Sequence, residues 1–285
     1  AVALDPSHGP SWVGLADINV LAAAYGMKLS GEAYATAKAA LTTAAGLQGE
    51  SGDSLYVEGM IAFGERRWKD AERAQAQATQ IVPGHVQARC WTAVLLCIHG
   101  RTEEAIVTLE RAREIDPLAP YPYAMTGLCL LVAGRAEEAD RFLDQALAFD
   151  EDNILALWVS GSAKTAQGLF DPAISRLERA LIPSHRGAFI HGALGWALAA
   201  AGRVEDARSV LEALRARPAP ATTVLPEAWM LAALGDREGA WQVLNRATEE
   251  KQLLVALTGL PGFDPLRSDP RFPAFLKRLG LPASK

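Results

Sequence analysis

Apolar and polar positions along the chain recur with a fixed period. Alignment on the alanine that follows one or two acidic or polar residues gives Ala71, Ala105, Ala139, Ala173, Ala207 and Ala240, spaced 34, 34, 34, 34 and 33 residues apart. Four further columns keep the same phase. Twelve residues before each alanine stands Gly59, Ala93, Gly127, Gly161, Gly195 or Ala228. Five before it stands Gly100, Gly134, Gly168, Gly202 or Gly235, with Arg66 as the exception. Four after it stands Leu109, Leu143, Leu177, Leu211 or Leu244, with Gln75 as the exception; seven after it stands Ala78, Ala112, Ala146, Ala180 or Ala247, with Leu214 as the exception. A constant period of this size marks a stack of identical supersecondary units.

The column chemistry predicts two antiparallel helices per unit. Small residues midway along the first helix and early in the second let the backbones approach, and the leucine fills the space that remains. Glycine before Arg101, Arg135 and Arg203 ends the first helix, since it adopts the left-handed conformation that a helix stop requires. Val82-Pro83 and Asp116-Pro117 end second helices, because proline cannot continue them. Stretches such as residues 103–114 and 137–145 interleave acids and bases as solvated faces do.

Together, Gly/Ala, Gly-Arg, Ala, Leu, Ala and Asp-Pro at these spacings resemble the tetratricopeptide repeat. The resemblance implies an all-α, right-handed superhelical solenoid of antiparallel helix pairs, with about seven repeats. Residues 1–9 read as the end of a preceding repeat, 10–51 as a divergent first repeat, 52–253 as six repeats and 254–285 as a capping segment. Trp12, Leu15 and Ala16 fall on the first helix of the divergent repeat, and Ala37, Leu41 and Ala44 on its second. The loop between them, Tyr25 to Glu32, reads as about nine residues too long for this repeat. Glu151, Pro183, Pro218 and Pro220 depart from the pattern and predict local bends. The tail, Leu260-Pro261-Gly262-Phe263-Asp264-Pro265 through Leu281, resembles the closing segment of repeat regions in bacterial class III nucleotide cyclases, winged-helix regulators and some protein kinases. Asp264 and Asp269 read as helix N-caps there and Gly280 as a helix stop, with Phe272, Phe275, Leu276 and Leu279 covering the apolar end of the solenoid.

Composition narrows the function. The 285 residues are 50% hydrophobic and 21% charged, as in folded proteins, and the formal net charge of −5 argues against nucleic acid as the partner. No apolar run reaches membrane-spanning length, so no direct membrane insertion is expected. Cys90, Cys97 and Cys129 are odd in number and lack CxxC spacing; neither disulfides nor zinc are expected, and a reducing, cytoplasmic location is the expectation. No phosphate-binding, metalloprotease or nucleophile-elbow motif occurs, and His8, His85, His99, His185 and His191 lack ligand spacing. The expectation is a non-catalytic chain without cofactor or metal.

In this repeat class the first helices line the concave wall, which implies a partner-binding set of Tyr56, Met60, Phe63, Cys90, Val94, Cys97, Tyr121, Leu128, Leu131, Trp158, Ser162, Thr165, Phe189, Trp196, Leu225 and Trp229. The set lacks the inward lysines, arginines and asparagines that grip a chaperone's terminal carboxylate, and instead suits an apolar helix or peptide segment. The expected role is a protein–protein interaction module, the regulatory part of a larger bacterial signalling protein. Two alternatives stay open: an oligomerising scaffold and a small-molecule sensor. An oily wall must also be covered. Tight curvature, the chain's tail, the long loop or a second copy of the molecule could each do so.

Overall fold

The structure, a computed structural model, describes residues 1–184, 187–216 and 224–283. Among these the ordered elements are helical, without strands. Fourteen helices form seven antiparallel pairs: α1 Gly9–Ala24 with α2 Ser30–Gln48, α3 Gly52–Gly64 with α4 Trp68–Ile81, α5 Val86–Ile98 with α6 Thr102–Ile115, α7 Pro120–Val132 with α8 Ala136–Phe149, α9 Ile154–Ala166 with α10 Phe170–Leu181, α11 Ala188–Ala200 with α12 Val204–Arg215, and α13 Val224–Ala233 with α14 Arg237–Glu249. Two 3-10 turns, Leu253–Ala256 and Pro261–Phe263, lead to α15 Asp264–Arg267 and α16 Phe272–Leu279. Residues 1–5 form a single turn, with the Asp5 amide donating to the Ala1 carbonyl at 3.1 Å. Pro218, Pro220 and His185 lie outside the described residues.

The repeating columns do what their chemistry requires. Gly100, Gly134, Gly168, Gly202 and Gly235 all have φ between 75° and 87°, and each closes a first helix. A Cβ on Gly127 would lie 2.5 Å from Cγ of Leu143, and one on Gly161 2.5 Å from Cγ of Leu177. Each leucine therefore sits directly on the glycine of its own pair. Gln75 takes that place over Gly59 and donates from Nε2 to the Tyr56 carbonyl at 3.2 Å, so a polar residue fits the leucine position by satisfying a backbone oxygen. At Gly195 the close neighbour is Met230 of the next first helix.

The divergent first repeat differs from its expected form. The connection between α1 and α2 is only Tyr25 to Leu29. The extra residues lengthen both helices, to 16 and 19 residues, and the alanine-rich sequence of α2 favours helix over loop. Met27 and Leu29 stay exposed.

Outer helices are joined by charged pairs one repeat apart, such as Arg135 to Glu103 at 2.6 Å and Arg176 to Asp144 at 2.9 Å. These are exposed and contribute little net stability. No helix among the described residues is long and apolar enough to cross a membrane.

Candidate partner-binding groove

Each first helix is apolar on nearly all sides, so it packs against its partner on one flank and the next first helix on another, and still presents a strip to the inside of the curve. The sequence-derived wall residues converge on this strip, but they are not open to solvent. Tyr56, Met60, Phe63, Cys90, Val94, Cys97, Leu128, Leu131, Ser162, Thr165, Phe189 and Leu225 are buried, as are Trp158, Trp196 and Trp229 at 6%, 8% and 3% exposure; Tyr121 is half-buried. In this form of the chain the set is closed off from solvent, as the self-covered alternative expects. The wall is covered from within.

The C-terminal segment covers the part of it lined by Trp158, Ser162, Trp196 and Trp229. The turn Leu253–Ala256 packs on α1, α3 and α14, and the turn Pro261–Phe263 packs on α13. Between them Gly259 lies against the end of α7: a Cβ there would stand 2.0 Å from the Val132 carbonyl oxygen. Gly262 lies flat on the Trp229 indole, with a Cβ position 2.7 Å from Cγ. Backbone approach this close requires glycine at both places.

Aromatic rings continue the wall into the cover. Trp158, Phe189, Trp229 and Phe263 meet edge to face, each pair of centroids 6.0 Å apart. Phe263 then meets Phe275 at 6.5 Å, and Phe275 meets Trp241 at 5.5 Å. Such pairs contribute about 0.5–1.5 kcal/mol each beyond area burial. Phe272, Leu276 and Leu279 are also buried.

Residues outside the expected set tie the second and last pairs to the end of the chain. Arg66, the exception in the glycine column, has φ 60°, a conformation that costs a side chain about 1–2 kcal/mol. Its guanidinium donates to the Thr248 carbonyl at 2.7 Å, across 182 residues of sequence. Trp68 donates from its indole to the Leu279 carbonyl at 3.0 Å, beside Gly280, whose φ of 69° stops α16. Asp264 is not an N-cap, being the first residue of α15, and neither is Asp269, because α16 starts later, at Phe272. The Asp269 carboxylate instead accepts from the Arg271 guanidinium and amide and from the Trp241 indole at 3.0 Å, and these bonds hold its pKa well below the usual carboxylate range. In the sequence, Arg66 was visible as a broken column, whereas Trp68 and Trp241 carried no signal separating them from ordinary packing residues.

Two polar features complete the groove. The indole nitrogens of Trp158 and Trp229 are buried without a hydrogen-bond partner. Both rings line a cavity of about 10 Å³ with Ser162, Trp196, Leu260, Pro261 and Gly262. An unpaired buried donor costs about 1–3 kcal/mol. Asp17 of α1 is half-buried with one carboxylate oxygen unpaired, and burial, aided by the Asp53 charge, raises its pKa. A raised carboxyl pKa means the folded state binds more protons, so stability falls as pH rises from the ordinary carboxylate range through the folded value. Asp17→Asn is expected to raise the melting temperature at pH 7 and to lose that advantage near pH 3, as measured by thermal melts across pH.

A wider cleft, of about 710 Å³, lies between α2, α3 and α4. Of the charges that line it, Lys38, Arg67, Asp70 and Arg73 are paired with one another or with the neighbouring Glu65. Among the described residues no group of three or more histidine, cysteine or acidic side chains could hold a metal ion, and all three cysteines are free and buried.

The stacked pairs recur in known structures. A type IV pilus biogenesis factor, PilW, superposes over 72% of this chain and 97% of its own with a TM-score of 0.53 and 20% identity. A tetratricopeptide repeat protein from Parabacteroides merdae matches over 87% of this chain and 99% of its own, with a TM-score of 0.54 and 15% identity. The fold is that of a tetratricopeptide repeat solenoid. Human IFIT1, solved as a dimer with m7Gppp-AAAA, gives a TM-score of 0.62 at 17% identity over 88% of this chain, which spans 65% of the IFIT1 chain. No protein-family model and no curated protein matches the sequence. In this tetratricopeptide solenoid the chain's own C-terminal segment packs on the first helices α1, α3, α7 and α13.

Proposed function

We propose that the chain is a non-catalytic protein–protein interaction module whose concave groove takes an apolar peptide or helix segment. The observation that carries this reading is the seat of Leu260-Pro261-Gly262-Phe263 on Trp158, Trp196 and Trp229: the groove accommodates an apolar, aromatic-bearing segment of extended and 3-10 backbone. Rigid aromatic side chains are the usual anchors of binding energy. The aromatic and aliphatic wall and the net charge of −5 favour such a segment over the capped oligonucleotide seen with IFIT1. The tail's likeness to closing segments of multidomain cyclases and regulators supports placing the module as the regulatory part of a larger bacterial signalling protein.

An array of short peptides incubated with the purified Arg66→Gly protein tests the reading. Retained peptides are expected to be rich in leucine, proline and phenylalanine, and to be displaced by excess peptide of residues 257–266. Retention of highly charged peptides alone would sink it.

A further inference from the structure

We propose that residues 257–263 are a tethered competitor for the groove, latched by Arg66 and Trp68, and that the partner displaces them with an apolar Leu-Pro-Gly-aromatic segment of matching chemistry. The proposal rests on the groove reading above and adds its regulation and the kind of partner.

Four observations converge on it. The segment enters the groove as ligands do, by backbone laid against the wall at Gly259 and Gly262, rather than by the helix-on-helix packing that joins every repeat. Its polar fastenings lie to either side of the seat: Arg66 holds the Thr248 carbonyl at the end of α14, Trp68 holds the Leu279 carbonyl, and Trp241, Glu238 and Asn245 hold Asp269, Arg271 and Arg278. Arg66 holds a strained backbone where five other repeats hold glycine, so the latch opposes the local preference of its own helix stop. Arg278 also lies close enough to Arg66 for their like charges to oppose each other. The seat itself is incompletely matched. The Trp158 and Trp229 indole donors have no partner beneath Leu260, Pro261 and Gly262. A displacing segment that brings a carbonyl or carboxamide oxygen over these two rings gains hydrogen bonds that the tether does not make.

Competition by a tether lowers apparent affinity by the fraction of molecules that are open, so opening the latch raises affinity without changing the seat. The test uses the full chain and a fluorescein-labelled peptide of residues 257–266, read by anisotropy, with hydrogen exchange of the tail followed in parallel. Arg66→Gly restores the residue that the other repeats carry, and Gly259→Ala drives the segment off the Val132 carbonyl. Both variants are expected to bind the probe at least about tenfold tighter than the unaltered chain, with faster exchange over residues 253–263 and unchanged protection in α3 to α12. A probe carrying Leu260→Ser and Phe263→Ser is expected to lose that binding. Should Gly259→Ala unfold the protein, Arg66→Gly carries the test.

Equal probe affinity in the unaltered chain and both variants overturns the tether while leaving the groove reading intact. Faster tail exchange without probe binding overturns both. Unchanged exchange in Arg66→Gly overturns the latch.

Discussion

Trp229→Ala is expected to cost about 3–5 kcal/mol of folding stability, the range for removing a buried tryptophan. Its indole stands between Phe189 and Phe263, 6.0 Å from each, and floors the close approach of Gly262. The substitution removes two ring pairs, opens space beneath the 3-10 turn Pro261–Phe263 and frees the segment that closes the groove. Two consequences separate this from an ordinary cavity. The loss is expected to appear first in the tail, as rapid hydrogen exchange over residues 253–279, before α3 to α10 loosen. Urea unfolding followed by circular dichroism should then show a lower midpoint than that of Trp91→Ala, whose ring is only half-buried and touches Phe63 from the side. An exchange pattern that rises uniformly along the chain would show that the cover does not depend on Trp229.

The second large effect lies in the repeat core. Leu143→Ala is expected to cost about 2–5 kcal/mol, because the side chain is fully buried and fills the space above Gly127. The cost depends on how far the pair α7 and α8 can collapse, and glycine opposite leaves nothing to move inward. Gly127→Ala alone is expected to destabilise by about 1–3 kcal/mol, since its new methyl meets Leu143. Combined, the two substitutions are expected to cost less than the sum of the singles, because the added methyl occupies part of the space that the leucine vacates. A double-mutant cycle by urea titration measures this directly; strict additivity would mean that the two residues do not share the space.

Both effects also bear on cooperativity. An open repeat array unfolds as a chain of nearest-neighbour units. Here Arg66 and Trp68 tie the second pair to the end of the chain, so loss of a middle repeat strains the closing contacts as well. Arg66→Gly is expected to broaden the thermal transition by uncoupling the ends.

The helix pairs were readable because their causes are local. Glycine at five stops, prolines after Val82 and Asp116, and leucine opposite glycine each act within about one repeat. The exceptions carried information too: Gln75 satisfies the Tyr56 carbonyl, and Arg66 reaches across the groove. The candidate wall is a proposal drawn from the register of the first helices. Its exposure was not readable. The Tyr25 to Glu32 loop was over-read because alanine-rich sequence could extend α2 without changing the period elsewhere.

The sequence by itself determined the repeating helix pair and the apolar character of its first helices, because a 34-residue period records contacts between residues close along the chain. Only the tertiary structure decided that residues 253–263 pack on α1, α3, α7 and α13 and that Arg66 and Trp68 bond to α14 and α16 at the end of the chain. Small rotations accumulate over seven pairs to set the curvature, and a contact across 182 residues depends on that sum, which no single repeat encodes.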